Sequence, residues 1–172
     1  MTANTTRDLI RIGPALLTGV SAALLLGALA FQYLGGLHPC VLCIYQRYPH
    51  AAVIVMGVLA LGHAMAGKRK AVPWLTMLAA VAMLAGAAIA AFHVGVEQGW
   101  WKGLEACAAG GKPPSSLKGA FEELKKGRPV ASCTDIPWQL FGVSMAGYNF
   151  LISLVAGLFG LSATRAMVLR GA

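Results

Sequence analysis

Four long stretches without a charged residue constrain the fold of this 172-residue chain more than any other feature. They cover residues 12–37, 48–67, 71–96 and 136–164. A helix needs about 20 residues to cross the hydrocarbon core of a bilayer, and each stretch is long enough. Only 12% of the residues are charged and 58% are hydrophobic, whereas soluble domains contain about 25% charged residues. The sequence therefore predicts an all-α membrane protein, built as a bundle of four transmembrane helices.

Glycine and proline residues mark where the predicted helices begin and end. Gly36 and Gly67 lie at the ends of the first two stretches, and Pro39 and Pro73 stand at positions typical of helix starts. Pro49 lies inside the second predicted helix and should kink it. We expect one membrane domain over residues 1–172, with spans at about 12–34, 41–66, 72–96 and 138–163.

The distribution of the cysteines indicates on which side of the membrane each loop lies. Four spans place both termini on one side and the loops at about 35–40 and 97–137 on the other. All four cysteines lie in those two loops or at their edges: Cys40, Cys43, Cys107 and Cys133. Paired thiols persist outside the reducing cytosol, and the dense basic turn at 68–70 is typical of a cytoplasmic loop. We therefore expect the termini in the cytoplasm and the cysteines outside.

The long outer loop contains the pattern of a short amphipathic helix. Ser115 or Ser116 could cap this helix, and Gly127 with Pro129 could end it. Its apolar residues recur at i, i+3, i+4 and i+7: Leu117, Ala120, Phe121 and Leu124. Such a helix either lies on the bilayer surface or packs on the protein. The net charge of +8 fits membrane topology and anionic lipid. It does not indicate nucleic acid, because no basic stripe alternates with aromatic residues.

Cys40 and Cys43 form a Cys-x-x-Cys motif in the predicted first turn of the second helix. Residues three apart share one face of a helix, and the helix N-terminus favours a thiolate there. Arg47 follows four residues after Cys43. Its cation should further favour a thiolate at Cys43, and it could hold the anionic form of an electron acceptor. Because a thiolate is the form that attacks disulfides, the motif predicts a redox-active dithiol.

The motif has three alternative interpretations. Cys40 and Cys43 could be small buried hydrophobes, with Arg47 as an anchor at the membrane surface. Zinc is disfavoured because its sites usually show two close pairs of ligands, and the other two cysteines are far apart in the sequence. Covalent haem requires Cys-x-x-Cys-His, and Ile44 occupies the histidine position. We therefore expect no metal ligand.

Cys107 and Cys133 flank the predicted amphipathic helix and form the second candidate pair. Their disulfide would be either a structural clip of the loop or an exposed bridge that exchanges with a partner protein. Exchange is favoured, because a clip would not need to share its side of the membrane with a second redox pair. Two pairs indicate an electron relay. Since the sequence has no flavin or nicotinamide motif, a lipid quinone fits as the final acceptor.

Two runs of residues resemble the disulfide bond formation protein B (DsbB) family. The first is HPCVLCIYQR at 38–47, with Gln32 just upstream. The second is CTDIPWQLFGVSM at 133–145, which leads into the fourth predicted helix. Cys107 completes the likeness in the second outer loop. The resemblance covers essentially the whole chain and its layout of four spans.

The resemblance implies a bacterial inner-membrane enzyme that oxidises protein dithiols and reduces a quinone. Its partner would be a DsbA-like thiol oxidase of the periplasm, whose nucleophilic cysteine attacks Cys107. Cys133 is then released and attacks Cys40. This attack frees Cys43, which passes electrons to ubiquinone or menaquinone.

The same resemblance implies three contacts with the quinone: Arg47, His93 and Gln32. Gln46 stands where an acidic residue also occurs in relatives, which leaves the charge around the quinone open. Residues 145–149 depart from the family's usual run and are assigned no role.

Two rival functions follow from the same motifs. One is a quinone reductase of the vitamin K epoxide reductase type, although that family places its quinone-proximal cysteines late in the chain. The other is a haem or metal carrier that would use His50, His63 and His93.

Overall fold

The structure is a computed structural model that describes residues 3–104, 107 and 131–171. Five helices account for most of these residues: α1 (Ala3–Tyr33), α2 (Val41–Tyr45), α3 (Arg47–Met65), α4 (Val72–Glu97) and α5 (Met145–Leu169). A 3₁₀ turn at Arg69–Ala71 precedes α4, and two short strands, β1 (Gln139–Leu140) and β2 (Val143–Ser144), precede α5. The predicted amphipathic helix around 115–127 lies outside the described residues.

Four segments within the described ranges are long and apolar enough to cross a membrane. They are Asp8–Tyr33, Val41–Met65, Arg69–Glu97 and Met145–Leu169. Helix α4 packs along α3 and α5, and α1 packs along the same two helices. The prediction of an all-α membrane protein with four spanning helices is confirmed.

Pro49 explains why the second span consists of two helices. A proline has no N–H to donate to the carbonyl four residues earlier, which here belongs to Tyr45, the last residue of α2. The helix is interrupted at Gln46, and α3 starts at Arg47. The predicted irregularity is therefore present, and it lies directly after the Cys-x-x-Cys motif.

The fourth span starts later than the sequence predicted. Helix α5 begins at Met145 instead of about 138, because the intervening residues form a β-hairpin of β1 and β2. Phe141 and Gly142 at its turn have φ values of 50° and 76°, and tight hairpins favour such positive values. Ser144 then caps α5, since its hydroxyl oxygen accepts the N–H of Gly147 at 3.1 Å.

Buried apolar residues form three clusters along the bundle. The middle cluster joins all four spans: Leu17, Val53, Ala79, Ala80, Met83 and Ala156. A second contains residues beside the start of α4: Ile10, Ala60, Val72, Ala163 and Met167. The third contains the end of α4 and three of the cysteines: Cys40, Leu42, Val96, Cys107 and Cys133. Many contact residues are small, which lets helix backbones approach closely within a membrane.

Candidate functional site

All four cysteines lie at one end of the bundle. Cys40, Cys107 and Cys133 are 4%, 5% and 0% exposed and share one buried cluster. Cys43 is half-buried and packs against the same cluster. The fold therefore brings together the two pairs that the sequence places in separate loops.

Cys107 and Cys133 form a disulfide, with their Cα atoms 5.1 Å apart. The N–H of Cys133 donates to the carbonyl of Cys107 at 3.4 Å, and the Ser132 hydroxyl donates to the same carbonyl at 3.4 Å. The sequence predicts an exposed bridge. That expectation is wrong for this conformation, because both half-cystines are buried beside Cys40. An attacking thiolate can reach the bridge only after these contacts open.

Cys40 and Cys43 are free thiols whose sulfurs lie 2.9 Å apart. Helix α2 begins at Val41, so Cys40 is its N-cap and does not lie within its first turn as predicted. The sulfur of Cys40 accepts the N–H of Cys43 at 3.2 Å. The hydrogen bond with the Cys43 side chain and burial raise the pKa of the Cys40 thiol.

A cavity of about 330 Å³ lies beside the cysteine pair. Residues from α1, α5 and the segment before α5 supply most of its apolar wall: Leu24, Ala28, Phe31, Trp138, Leu140 and Ile152. Gln32, Cys43 and Arg47 contribute polar atoms to the same cavity. A mostly apolar pocket with a few polar groups is typical of a small-molecule site.

Two polar atoms of the cavity-lining residues have no hydrogen-bond partner among the residues described. They are Nε of Arg47, which is a donor, and Oε1 of Gln32, which is an acceptor, and both are shielded from solvent. A buried polar atom without a partner costs about 1–3 kcal/mol. The two atoms therefore fit a ligand that carries oxygen atoms on an apolar body.

His93 is held by protein groups at both ring nitrogens. Nε2 lies 3.5 Å from Sγ of Cys40 and 3.8 Å from Oε1 of Glu97. Nδ1 lies 2.8 Å from the side-chain nitrogen of Gln46. His93 lines the cavity, as its predicted contact with a quinone requires. Its hydrogen bonds, however, connect it to the first cysteine of the motif.

A group of buried polar residues behind the cysteine pair was not predicted from the sequence. Nδ2 of Asn149 donates to Oε1 of Gln46 at 2.6 Å, and Nε2 of His50 lies 2.9 Å from Oδ1 of Asn149. The signal in the sequence was chemical, because polar side chains inside membrane helices are costly and usually functional. Their pairing could not be predicted, since Asn149 and Gln46 are 103 residues apart in the chain.

Glu97, the last residue of α4, was also missed. Its Oε2 accepts a hydrogen bond of 2.5 Å from the hydroxyl of Ser144, and its side chain is 3% exposed. Glu97 lines the cavity as well. An acidic residue at the very end of an uncharged stretch was the available signal.

Metal and haem sites fit these residues poorly. One ligand atom each from Cys40, Cys43 and His93 lies within 4.8 Å of the others. Two sulfurs on one tetrahedral zinc ion would be about 3.8 Å apart, given a Zn–S distance of about 2.3 Å, whereas these sulfurs are 2.9 Å apart. That separation suits a dithiol that closes to a disulfide. Among the candidate haem ligands, His63 lies near the other end of α3 and contacts the carbonyl of Leu59 at 2.9 Å.

Comparisons with known proteins agree with this chemistry. The family model described as Disulfide bond formation protein DsbB matches residues 11–163. The chain is 32% identical over 167 residues to Disulfide bond formation protein B of Verminephrobacter eiseniae, covering 92% of this chain and 87% of that protein. It is 34% identical over 134 residues to the protein of the same name from Shewanella sp. strain MR-4, covering 76% and 73%.

A third relative is the uncharacterized protein RP370 of Rickettsia prowazekii. It is 25% identical over 156 residues, covering 89% of this chain and 87% of that protein. No solved structure matches the chain significantly.

Proposed function

This chain belongs to the DsbB family of disulfide bond formation proteins, and from that premise we propose the two ends of its electron path. It is a multi-pass membrane oxidoreductase that forms disulfide bonds. Its electron donor is a DsbA-like thiol oxidase outside the membrane, and its electron acceptor is a membrane quinone.

The observation that carries the proposal is the position of Cys43 beside the cavity. Cys43 shares the cavity wall with Arg47 and Gln32, whose buried Nε and Oε1 atoms have no partner in the described part of the chain. A reactive sulfur and two unpaired polar atoms thus face one apolar space. These features together support a site for an apolar electron acceptor that carries oxygen atoms.

The residues around the cavity fit a quinone. Nε of Arg47 would donate to a carbonyl oxygen, and Oε1 of Gln32 would offer an acceptor to a hydroxyl group. Phe31 and Trp138, whose ring centroids are 5.2 Å apart, supply aromatic surface for a planar ring. When bound, a quinone accepts two electrons and two protons.

The cluster of cysteines supports a relay of two disulfide exchanges. A thiolate of the partner attacks Cys107, the Cys107–Cys133 bond breaks, and Cys133 leaves as a thiolate. Cys133 then attacks Cys40 of the oxidised Cys40–Cys43 pair. The Cys40–Cys133 bond forms, and Cys43 is released as a thiolate beside the cavity. The burial of Cys40 with Cys107 and Cys133 in one cluster favours this order.

We place the protein in the bacterial inner membrane, as a single membrane domain with its cysteines facing the periplasm. The basic turn at 68–70 lies at the end of α3 that points away from Cys40. Basic residues in short loops favour the cytoplasm, and exchangeable disulfides need an oxidising compartment.

Anaerobic mixing of the purified protein, a reduced DsbA-like oxidase and a quinone tests the proposal. Loss of quinone absorbance reports turnover. We expect turnover to fall to the uncatalysed rate in Cys43→Ser and in Cys107→Ser, because each substitution removes one of the two disulfides. Retained turnover in either variant would reject the relay.

Ser162→Ala is the matched control, because the exposed Ser162 hydroxyl bonds only the carbonyl of Phe159 within α5. Its turnover should equal that of the unaltered protein. Parallel reactions with a benzoquinone and a naphthoquinone would distinguish ubiquinone from menaquinone as the acceptor.

A further inference from the structure

A continuous chain of hydrogen bonds leads from α1 through buried polar residues to Cys40. We propose that Gln46 and Asn149 are positioning residues that hold His93 with its proton on Nε2 and direct that N–H at the sulfur of Cys40. The effect of this N–H on the rate of disulfide exchange rests on the proposed relay. The assignment of the His93 tautomer does not depend on the relay.

A backbone carbonyl sets the direction of this chain. The side-chain nitrogen of Gln46 donates to the carbonyl oxygen of Leu42 at 3.2 Å, and a carbonyl can only accept. This contact determines which end of the Gln46 amide is the nitrogen. Its second hydrogen points to Nδ1 of His93 at 2.8 Å. Because Nδ1 is then an acceptor, a neutral His93 carries its proton on Nε2.

Asn149 holds the Gln46 amide in this orientation. Its Nδ2 donates to Oε1 of Gln46 at 2.6 Å. Its Oδ1 accepts from the Ser153 hydroxyl at 3.0 Å and lies 2.9 Å from Nε2 of His50. Nδ1 of His50 lies 3.3 Å from the hydroxyl of Ser21. Each donor thus meets an acceptor, and reversing the Gln46 amide would set two donors against each other.

Burial makes this direction hard to reverse. Gln46, His50 and His93 are 6%, 3% and 3% exposed, and all three lie within spanning segments. Their polar atoms therefore depend on one another for most of their hydrogen bonds. In such surroundings a polar atom that loses its partner keeps the full cost of desolvation.

The N–H of His93 can stabilise the Cys40 thiolate that forms when the Cys107–Cys133 disulfide is restored after the relay. The partner's second cysteine first attacks the partner sulfur of the mixed disulfide, which leaves the partner oxidised and releases Cys107 as a thiolate. Cys107 then attacks Cys133, so the Cys107–Cys133 bond forms and the Cys40–Cys133 bond breaks. Cys40 leaves with the electron pair as a thiolate in a buried position. The N–H of Cys43 at 3.2 Å and Nε2–H of His93 at 3.5 Å both point at this sulfur. Stabilising the leaving thiolate speeds the exchange.

Within the described part of the chain, two other titratable groups face this contact. Sγ of Cys43 is 2.9 Å from Sγ of Cys40, and Oε1 of Glu97 is 3.8 Å from Nε2 of His93. Glu97 can compete for the imidazole N–H. It too requires the proton on Nε2, so both neighbours select the same tautomer.

The first test measures Cys40 alone, without a quinone or a partner protein. In the full chain with Cys43, Cys107 and Cys133 replaced by serine, the rate of alkylation of Cys40 by iodoacetamide is followed against pH. We expect Gln46→Met to raise the midpoint, which is the pH at which the alkylation rate is half-maximal, by about one unit. A shift of this size follows the loss of a hydrogen bond to the Cys40 thiolate. His93→Leu, which removes the donor, should raise the midpoint similarly. An unchanged midpoint in either variant would overturn the proposal.

The second test observes the imidazole directly. Nitrogen-15 NMR reports which ring nitrogen of a histidine is protonated. The sample is the full-length protein with labelled histidines in lipid nanodiscs, and the His93 signals are assigned by their loss in His93→Gln. We expect Nε2 to carry the proton in the unaltered protein. In Gln46→Met and Asn149→Leu we expect a mixture of the two tautomers. If His93 gave the same spectrum in all three proteins, Gln46 and Asn149 would not position it.

Ser153→Ala is the matched control, because it removes one donor to Asn149 and leaves the Gln46 amide in place. It should change neither the alkylation midpoint nor the tautomer. Neither test involves electron transfer. If both tests gave the expected results and the protein failed to reduce quinone, only the proposed function would be refuted. If the protein reduced quinone and the tests failed, only the role of Gln46 and Asn149 would be refuted.

Discussion

Cys40 and Cys43 differ in chemistry although only two residues separate them. Cys40 is the N-cap of α2 and is buried with the loop disulfide, whereas Cys43 is half-buried and lines the cavity. The difference in position arises because α2 begins directly after Cys40, so that Cys40 lies beside His93 and the loop disulfide while Cys43 lies within the helix. One cysteine is thus placed for protein disulfides, and the other for the acceptor.

Arg47 should matter for use of the quinone and little for exchange with the partner. We expect Arg47→Met to raise the KM for quinone about tenfold or more, since a hydrogen bond from a charged group contributes about 1.5–3 kcal/mol. The rate at which the reduced partner opens the Cys107–Cys133 bond should stay unchanged. Steady-state kinetics with varied quinone, and a quinone-free stopped-flow experiment, measure the two quantities.

Arg69→Met removes the same charge from an exposed position before α4 and serves as the control. Its KM for quinone should equal that of the unaltered protein. Slow partner exchange with a normal KM in Arg47→Met would contradict the role given to Arg47.

Single residues were predictable from the sequence where a local spacing carried the chemistry. The Cys-x-x-Cys motif and Arg47 lie within eight positions of one another, so helix periodicity alone places them near one site. Gln46 and Asn149 were missed because their roles depend on each other across the bundle. The hydrogen bonds of His93 to Cys40 and Gln46 could not be predicted for the same reason, since these partners come from other elements.

At the scale of the elements, close contacts between helices depend on particular glycines. A side-chain carbon added at Gly57 in α3 would collide with the hydroxyl of Thr18 in α1 and lie 3.3 Å from the carbonyl of Pro14. Thr18 is already bonded to that carbonyl at 2.7 Å. It therefore has little freedom to move aside.

We expect Gly57→Ala to destabilise the bundle by about 1–3 kcal/mol, the usual cost of overpacking. Gly62→Ala in the same helix is the control, because nothing lies within 4 Å of the added carbon. It should be neutral or stabilising by up to about 1 kcal/mol, since alanine favours helix more than glycine. Thermal unfolding in detergent compares the variants. Equal midpoints for both would contradict the contact between α1 and α3.

Helix existence was predicted more accurately than helix ends. Long uncharged stretches identify the spans, because each needs to match the bilayer thickness. The hairpin before α5 was missed since its residues are apolar and continue the fourth stretch. Its turn depends on the positive φ values of Phe141 and Gly142, which composition does not reveal.

At the scale of the whole molecule, the bundle separates the basic turn from the cysteines. The turn at 68–70 and the cluster of Cys40, Cys107 and Cys133 lie at opposite ends of the second and third spans. This polarity gives the proposed orientation a simple test.

Single cysteines introduced as Lys68→Cys and Lys102→Cys, with the four native cysteines replaced by serine, report the two sides. Both positions are exposed. In intact spheroplasts a membrane-impermeant maleimide should label Lys102→Cys and leave Lys68→Cys unlabelled. After the cells are broken, both should react, which shows that each site is accessible. The reverse labelling pattern in spheroplasts would place the cysteine end in the cytoplasm.

Local chemistry and span length were enough to predict a four-helix membrane protein with a redox-active cysteine motif. Those properties depend on the length of each hydrophobic stretch and on residue spacing within one helix, and the order of the residues determines both directly. The meeting of the two cysteine pairs, the burial of Cys107 and Cys133, and the hydrogen-bond chain to Cys40 depended on the tertiary structure. Each joins residues from different helices or loops. Their contacts exist only after the bundle has packed, because sequence distance does not specify distance in space.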